Sequence, residues 1–450
     1  MQGKRIFIVL TMATLIPLTA VADKWQDPKT KVNYTYTVGK SEASVRCYGR
    51  YVSGSPDAAG AIAILSSFTV DGNEYTVTSI GDYAFYDCKN LTSVSIPSSV
   101  TSIGNETFFG CKGLTSVTIS EGVTSIGNYA FKSCTSLKSV TIPSSVSSIG
   151  EYAFGGCNSL NSATISEGVT SIGDQAFSGC KSLTSVTIPS SMISIGSFAF
   201  HETPWYDKYY SAASNGLFCI GDILFGYKGN KPTGDVTIKD GTRIIAGSAF
   251  STCSYLSSVT IPAGVVSIGN QAFYNCHGLN SLTIPAGVIN IGNSAFYNCQ
   301  SLTSVTIPAG VISIGMHAFD GIDGLTSVTL PSSLTSIGLY AFQCCNLTSV
   351  VSLIKEPFNI DSETFAHSYS SATLYVPQGT KEKYQATYAW NQFKTIVELD
   401  DDSSGVDAIA HDEGTVTERY AISGQRMSAG QRGLNIVRMS DGTVRKVQVK

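Results

Sequence analysis

One phrase of 23 residues recurs along most of this chain. In residues 114–136 it runs from Leu114 and Ile119 to an Ile-Gly step at Ile126, and then to Phe131. The isoleucine of that step recurs at Ile80, Ile103, Ile126, Ile149, Ile172, Ile195, Ile245, Ile268, Ile291, Ile314, Ile337 and Ile360, with Ala246 and Asp361 in place of the glycine after Ile245 and Ile360. The phenylalanine follows it each time, at Phe85, Phe108, Phe131, Phe154, Phe177, Phe200, Phe250, Phe273, Phe296, Phe319, Phe342 and Phe365. A fixed period in the twenties predicts a solenoid whose stacked coils share one continuous core.

The residue types within one repeat predict how a coil is built. Val117 and Ile119 alternate with Ser116 and Thr118, which indicates a short strand with its hydroxyl side chains on the outer face. After the strand and the Ile-Gly step the chain must turn, and we expect a positive φ at Gly127 for that turn. Repeated from coil to coil, these strands predict a long sheet whose outer face is lined by serine and threonine.

Nine cysteines form a column, each three residues after the repeat phenylalanine: Cys88, Cys111, Cys134, Cys157, Cys180, Cys253, Cys276, Cys299 and Cys345. Equivalent positions of neighbouring coils lie about 5 Å apart, a separation that permits a disulfide. An interior cysteine has two equal neighbours, however, and two coils have Thr203 and Ile322 instead. We therefore interpret the column as small buried residues that fill a stack. No Cys-x-x-Cys pair with companion ligands indicates a zinc site.

The N-terminus has the pattern of a secretory signal. Lys4 and Arg5 precede an apolar stretch that ends in the small-x-small site Ala20-Val21-Ala22, so we expect residues 1–22 to be removed on export. No later segment has about 18 unbroken apolar residues, which predicts no transmembrane segment in the mature chain. A net charge of −4 provides no electrostatic basis for binding nucleic acid.

The rest of the sequence divides where the repeat starts and stops. The predicted units are a β cap at 23–70, a solenoid at 71–395 with an insertion at about 201–240, a linker at 396–405 and a C-terminal β module at 406–450. Near the end of the solenoid the sequence predicts a helix over 381–393. In the C-terminal module, apolar stretches on both sides of Asp441-Gly442 predict a hairpin.

No arrangement of residues in the sequence indicates catalysis. The five histidines occupy different units at different phases, so stacking does not bring them together: His201, His277, His317, His367 and His411. A nucleophile with its base and orienting group requires such convergence. The sequence contains no phosphate-binding, zinc-hydrolase or EF-hand motif. We expect no enzymatic activity, no cofactor and no metal.

The repeat L-x-x-V-x-I-P-x-x-V-x-x-I-G-x-x-A-F-x-x-C resembles that of BspA-like surface proteins, the treponemal-type 23-residue leucine-rich repeats. The Trp205-Tyr206 insertion and the ending from Tyr375 to Trp390 are also similar to that family. The resemblance implies a right-handed leucine-rich-repeat solenoid, with short parallel β-strands on one face and tight turns or 3-10 segments on the other. It also implies an exported protein of a host-associated bacterium of the Bacteroidetes type.

A second resemblance concerns the tail. Residues 420–426, 433–437 and 446–450 look like the C-terminal sorting or anchoring modules of Bacteroidetes, although those often have Tyr where this chain has Asn435. The alternative is a small β cap that protects the end of the solenoid.

Two candidate binding surfaces follow from the sequence. The first is the outer face of the predicted sheet, where pairs of hydroxyl residues continue as far as Ser327 and Thr329, and we select from it Ser116, Thr118, Ser139, Thr141, Ser185 and Thr187. The second is an aromatic segment of the insertion, formed by Trp205, Tyr206, Tyr209 and Tyr210. Its rings either bind a ligand or fill the packing gap that the break in the repeat creates.

These features favour a non-enzymatic, adhesin-like protein at the cell surface or in the extracellular space. We expect a monomer that binds extracellular host or bacterial proteins, or glycans, through its solenoid surface. One alternative is a structural spacer at the cell surface. The other is a glycan-binding protein that uses the aromatic insertion.

Overall fold

The computed structural model describes residues 23–30, 32–36, 40–45 and 58–399, and the strands at 416–421, 426–427, 433–439 and 444–449. The predicted signal peptide and most of the predicted linker lie outside the described residues. The fold is a parallel-strand solenoid of about 14 turns with little helix, which confirms the predicted fold class.

The first side of the solenoid is the sheet that the sequence predicts, here called the long-strand sheet. Its strands are Gly60–Ala63, Leu91–Ile96, Ser116–Ile119, Ser139–Ile142, Ser162–Ile165, Ser185–Thr187, Gly234–Thr237, Leu256–Thr260, Ser281–Leu282, Val305–Thr306, Ser327–Leu330, Ser349–Ser352, Thr373–Val376 and Thr395–Glu398. These strands form four successive ladders, and within each ladder neighbouring strands pair in parallel with a shift of one repeat, so that Val140 lies opposite Ala163 in the core. The last strand extends the ladder past the solenoid boundary predicted at 395.

A second side is formed by much shorter strands, here called the short-strand sheet. After Asn73–Ile80 it consists of the two-residue strands Ser102–Ile103, Ser125–Ile126, Ser148–Ile149, Ser171–Ile172, Ser194–Ile195, Ile244–Ile245, Ser267–Ile268, Asn290–Ile291, Ser313–Ile314 and Ser336–Ile337. Each strand pairs in parallel with the strand of the next coil, except at the insertion, where Ile244–Ile245 pairs with Ile223–Lys228 instead of Ser194–Ile195. The second residue of each strand is buried. A strand of two residues is too short for an alternating pattern, so the sequence did not predict this sheet.

The third side is made of tight turns that also bond from coil to coil. The backbone amides of Tyr129 and Phe131 donate hydrogen bonds of 2.7 Å to the carbonyls of Glu151 and Ala153 in the following coil. Backbone hydrogen bonds therefore connect neighbouring coils on all three sides, and few buried backbone groups need a side-chain partner.

The repeat phenylalanines form two stacks of parallel rings inside the solenoid. The ring centroid of Phe131 lies 4.9 Å from that of Phe108 and 5.1 Å from that of Phe154. One stack extends from Phe85 to Phe200 and the other from Phe250 to Phe365. This arrangement confirms the predicted register of the coils.

The glycine of the Ile-Gly step is needed for a reason other than the predicted one. Gly127 has no positive φ, whereas Tyr129 and Ser133 in the same turn have φ values of 59° and 61°. A Cβ on Gly127 would lie 2.6 Å from the carbonyl carbon of Gly104 in the preceding coil. The prediction of a positive φ at Gly127 is therefore wrong: the coils approach too closely here for any side chain.

The cysteine column is buried, as predicted, and it also makes hydrogen bonds. The Sγ atom of Cys134 lies 3.1 Å from the carbonyl oxygen of Phe108, one coil earlier, and the same contact recurs along the column. Burial raises the pKa of the Cys276 thiol to about 12, so this thiol is a donor at neutral pH. All the cysteines that the structure describes are free thiols.

At the turn between the two sheets, a carboxylate in every second coil bonds the coil that follows it. Glu121 accepts hydrogen bonds from the backbone amides of Ser144 at 3.1 Å and Ser145 at 2.9 Å. Glu167 makes the same contacts with Ser190 and Ser191. The backbone amides of the serines lower the pKa of both carboxylates. The Ser-Glu-Gly and Pro-Ser-Ser turns that alternate in the sequence are thus complementary partners.

Residues before the first full repeat add strands to both sheets. The strands are Asp23–Gln26, Asn33–Tyr36, Glu42–Val45 and Ser67–Val70. Glu42–Val45 pairs in parallel with Asn73–Ile80 and extends the short-strand sheet, while Gly60–Ala63 extends the long-strand sheet. The described part of the predicted cap therefore continues the ladders of the solenoid.

The C-terminal end departs from the predicted helix over 381–393. An α-helix covers Lys381–Ala386, and a 3-10 helix covers Trp390–Gln392. Ala389 between them has a φ of 68°, which breaks the helix and turns Trp390 into the core, where its indole donates to the Phe358 carbonyl at 2.9 Å. The prediction of one continuous helix is therefore wrong, because the chain must leave the helix before Trp390 for the indole to be buried.

The tail contains four antiparallel strands, Val416–Ala421, Arg426–Met427, Gly433–Met439 and Val444–Val449. The last two pair with each other, from Gly433 opposite Val449 to Arg438 opposite Val444. They lie on either side of the predicted Asp441-Gly442 turn, which itself is outside the described residues.

Replacing Gly127 by alanine should destabilise the solenoid by about 1–3 kcal/mol, because the new methyl group meets the backbone of Gly104. Urea unfolding monitored by circular dichroism measures the change. Gly264→Ala is the matched control, since a Cβ there meets nothing closer than 3.7 Å. Equal stability of the two variants would contradict the close approach.

The double variant Glu121→Gln, Glu167→Gln should reduce the dependence of stability on pH. The folded state lowers the pKa of each carboxylate. The stability that each carboxylate contributes is therefore fully present above its unfolded pKa of about 4.3, and it is lost as the pH falls through the folded-state pKa. Between pH 7 and pH 3 the melting temperature should fall less for the variant than for the wild type. The exposed Glu202→Gln serves as control and should retain the wild-type slope.

Candidate binding surfaces

The outer face of the long-strand sheet carries the hydroxyl residues that the sequence selects. We call this surface, over the strands from Leu91 to Thr306, the hydroxyl face. All six selected residues are exposed on it: Ser116, Thr118, Ser139, Thr141, Ser185 and Thr187. Within the described part of the chain, none of these six side chains has a hydrogen-bond partner. Their donors and acceptors are therefore available to a ligand.

The hydroxyl groups lie in two straight columns. Strand pairing aligns Ser162 with Ser139 and Ser185, and it aligns Thr164 with its equivalents in the same two coils. Neighbouring strands of a sheet lie about 4.8 Å apart, so each column offers a hydroxyl at that interval. Such a surface can make many equivalent hydrogen bonds, each of modest strength.

The hydroxyl face ends earlier than the sequence predicts. Ser327 and Ser349 are only 5% and 3% exposed. In the next strand Val351 replaces the threonine of the column, and it pairs with Thr329 on one side and Tyr375 on the other. The prediction that the accessible hydroxyl pairs continue to Ser327 is therefore wrong, because the strand there is buried on both faces.

The insertion forms a helix and a hairpin at the break in the repeat. The helix Pro204–Ala212 begins at Thr203, whose side chain accepts a hydrogen bond from the Tyr206 amide. The strands Gly216–Ile220 and Ile223–Lys228 pair antiparallel behind it. A backbone hydrogen bond still connects the coils before and after the insertion: the amide of Gly247 donates to the Ile195 carbonyl at 2.9 Å.

The first two aromatic rings of the insertion are packing residues. Trp205 is 6% exposed, and its ring lies 4.9 Å from Phe200, the last ring of the first stack. Tyr206 contacts Phe218 and Phe225 edge to face, at 5.3 and 5.8 Å. Burial raises the pKa of Tyr206 to about 12. These two rings fill the gap beyond Phe200, where the first phenylalanine stack ends.

The other two rings lie nearer to solvent. Tyr209 is 40% exposed and contacts the edge of Trp205. Tyr210 is half-buried and lines a groove of about 480 Å³ between the insertion and the turns of the adjoining coils. The four aromatic residues that the sequence groups together therefore do not form one surface.

The groove has two chemically different sides, and it includes residues that the sequence did not select. Phe198, His201, Asp207 and Tyr210 line it, as do the hydroxyl residues Ser248, Ser251 and Thr252 and the glycines Gly226 and Gly247. The one signal that points to it is Phe198, at a turn position where other coils have side chains with polar atoms. Sequence reasoning missed the groove because its sides come from segments about 50 residues apart.

The half-buried tyrosines of the turn side are also packing residues. Tyr129 and Tyr152 stack with ring centroids 5.2 Å apart, and the Lys132 ammonium lies 4.0 Å from the centroid of Tyr152. Tyr274 and Tyr297 repeat the stack at 5.0 Å. They continue the coil-to-coil stacking of the core onto the surface.

The described histidines do not assemble a catalytic group. His317 bonds the Asp320 carboxylate at 2.8 Å, His277 lies 3.1 Å from the Asn298 carbonyl, and His367 accepts from a backbone amide. In the described part of the chain, no group of three or more His, Cys, Asp or Glu side chains is placed to hold a metal ion. None of the helices that could be searched is long and apolar enough to cross a membrane.

Comparison with known proteins places the repeat in a family. The profile of the BspA type leucine-rich repeat region matches six copies, over residues 78–205, 220–312 and 289–398. No curated protein matches the chain.

Solved structures of bacterial repeat proteins are also similar. A leucine-rich cell surface protein from Faecalibacterium prausnitzii is 26% identical, with 85% of this chain and 99% of that chain covered and a TM-score of 0.36. A leucine-rich repeat protein from Bacteroides ovatus is 27% identical over 71% and 92% of the two chains, with a TM-score of 0.28. The leucine-rich repeat protein of T. pallidum is 23% identical over 62% and 91%, with a TM-score of 0.28.

The packing role of Trp205 predicts that Trp205→Ala lowers the free energy of unfolding by about 3–5 kcal/mol. Tyr209→Ala, on the same helix but 40% exposed, should cost much less. Urea unfolding measures both, and limited proteolysis of the insertion shows whether the damage is local. Equal stability losses would mean that Trp205 does not fill the gap.

Proposed function

Because the chain belongs to the BspA-type leucine-rich repeat family, we propose that it is an exported surface protein that binds host or microbial macromolecules through its hydroxyl face. The proposed role is adhesive and non-enzymatic. The observation that carries the proposal is the pair of exposed hydroxyl columns, whose selected side chains are without hydrogen-bond partners in the described part of the chain.

The chemistry of this face favours extended partners. A single hydroxyl contributes about 1 kcal/mol to binding, so a small ligand would be held weakly. A long partner can bond several coils at once, and contacts that form together increase the overall affinity through effective concentration. The face lacks the Trp, Tyr and Arg anchors of compact protein interfaces. Its expected partners are therefore extended matrix or plasma proteins and bacterial surface polymers.

The proposal is tested by placing charged side chains on the hydroxyl face. In the variant Thr118→Lys, Thr141→Glu, Thr164→Lys, three exposed threonines of successive coils are replaced, and the alternating charges attract one another. The long side chains prevent close approach to the strands. We expect binding to immobilised matrix proteins, plasma proteins or intact bacteria to fall at least about tenfold, measured by biolayer interferometry.

The matched control carries the same charges on the short-strand side of three successive coils, two of them shared with the first variant, as Thr101→Lys, Thr124→Glu, Ser147→Lys. These positions are also exposed, and the control should bind within about twofold of the wild type. Equal loss in both variants would contradict a role for the hydroxyl face. A wild-type protein that binds none of these partners would instead support a structural spacer.

A further inference from the structure

We infer that the groove beside the insertion is a carbohydrate site that takes one uncharged sugar ring of a glycan. The groove lies on the turn side of the solenoid, is lined by Phe198, Asp207, Tyr210, Ser248 and Ser251, and is separate from the hydroxyl face. The inference therefore goes beyond the proposed function and stands on different residues.

The first argument is an exposed phenylalanine where the fold does not require one. Phe198 is 55% exposed and has a φ of 56°. The equivalent left-handed residues of the other coils carry polar atoms: Tyr83, Glu106, Tyr129, Tyr152, Gln175, Ser248, Gln271, Ser294, His317 and Tyr340. An apolar ring in water gains free energy when a ligand covers it. The C–H face of a pyranose is a flat apolar surface of suitable size.

The second argument is the polar character of the remaining lining. Within the described residues, neither the Asp207 carboxylate nor the Ser251 hydroxyl has a hydrogen-bond partner. A carboxylate has two oxygens and can accept from two neighbouring hydroxyl groups, while a serine hydroxyl both donates and accepts. This combination of one aromatic side and two polar groups able to bind hydroxyls matches a sugar, whose ring faces are apolar and whose edges carry hydroxyls.

The third argument concerns charge. Asp207 is the one acidic side chain in the lining, and no lysine or arginine lines the groove. Three lysines lie nearby. Lys208 follows Asp207 on the helix, and backbone carbonyls engage the ammonium groups of the other two. Lys228 bonds the carbonyls of Ser211 and Ala213 at 2.9 and 2.7 Å, and Lys231 bonds that of Thr252 at 3.0 Å. An acidic sugar would meet the Asp207 carboxylate, with His201 as the one basic side chain in the lining, so we expect the groove to prefer an uncharged sugar.

The size of the groove agrees with this ligand. Its volume of about 480 Å³ lies within the range of small-molecule sites, about 300–1,000 Å³. Gly226 and Gly247 contribute only backbone to the lining. A Cβ on Gly226, where φ is 148°, would lie 3.3 Å from the Ala249 carbonyl oxygen. Exposed backbone at these glycines therefore forms part of the groove wall, beside the lining side chains.

Saturation-transfer NMR and isothermal titration calorimetry of the protein with lactose, cellobiose, mannobiose and chitobiose test the inference. We expect saturable binding of at least one of these sugars, with a Kd of about 1 mM or tighter. Phe198→Ala and Asp207→Asn should each weaken that binding about tenfold, since each removes one side of the recognition. Both residues are at the surface, and unchanged melting curves would show that the variants fold.

Tyr255→Ala is the matched control, because Tyr255 is an exposed aromatic residue, 79% exposed, outside the groove. It should bind sugar as the wild type does. The inference is overturned if no neutral sugar of the panel saturates below about 10 mM, if the Phe198 and Asp207 variants bind unchanged, or if 3′-sialyllactose binds more tightly than lactose. The threonine variants of the hydroxyl face should retain sugar binding, so failure of one proposal is distinguishable from failure of the other.

Discussion

The backbone hydrogen bonds between successive coils determine the spacing on which the rest of this structure depends. They occur on all three sides of the solenoid, and they hold equivalent residues about 5 Å apart. The phenylalanine rings adopt the same interval, with centroids 4.9 Å apart for Phe108 and Phe131. The close approach also explains Gly127, where a Cβ would occupy the space of the previous coil. A side chain at Gly127 would therefore push its coil away from the preceding one.

The same spacing explains the unusual composition. Charged residues make up 14% of the chain, against about 25% in ordinary globular proteins. A charged residue repeated in every coil would face its own copy about 5 Å away, and like charges opposite each other destabilise a sheet. Hydroxyls, amides and thiols avoid this cost, because each can donate to the preceding coil. Cys134 does so at the Phe108 carbonyl, and in the reverse sense the side-chain oxygen of Asn105 accepts a hydrogen bond of 2.8 Å from the backbone amide of Asn128 in the following coil.

The sequence predicted the features that recur in successive coils. The solenoid, the register of Phe131 with its neighbours and the exposure of Ser116 and Thr118 follow from alternation and period. It did not reveal why residue 127 is a glycine. A close approach between coils and a positive φ both favour glycine, so one sequence cannot distinguish them. It also missed the groove at Phe198. This groove occurs at one place in the solenoid, so no recurring pattern in the sequence indicates it. The burial of Ser327 was missed for the same reason.

A regular solenoid has a limited capacity for selective recognition. Each coil of the hydroxyl face presents nearly the same groups, so a partner that fits one coil fits the next one equally well. Such a surface can be adhesive, but it cannot fix one position of a ligand. A unique site requires a place where the repeat is broken, and the insertion beginning at Pro204 provides that place. The rings of Trp205 and Tyr206 pack against Phe200 and Phe225 at this break, and the groove beside them is lined by residues that depart from the repeat.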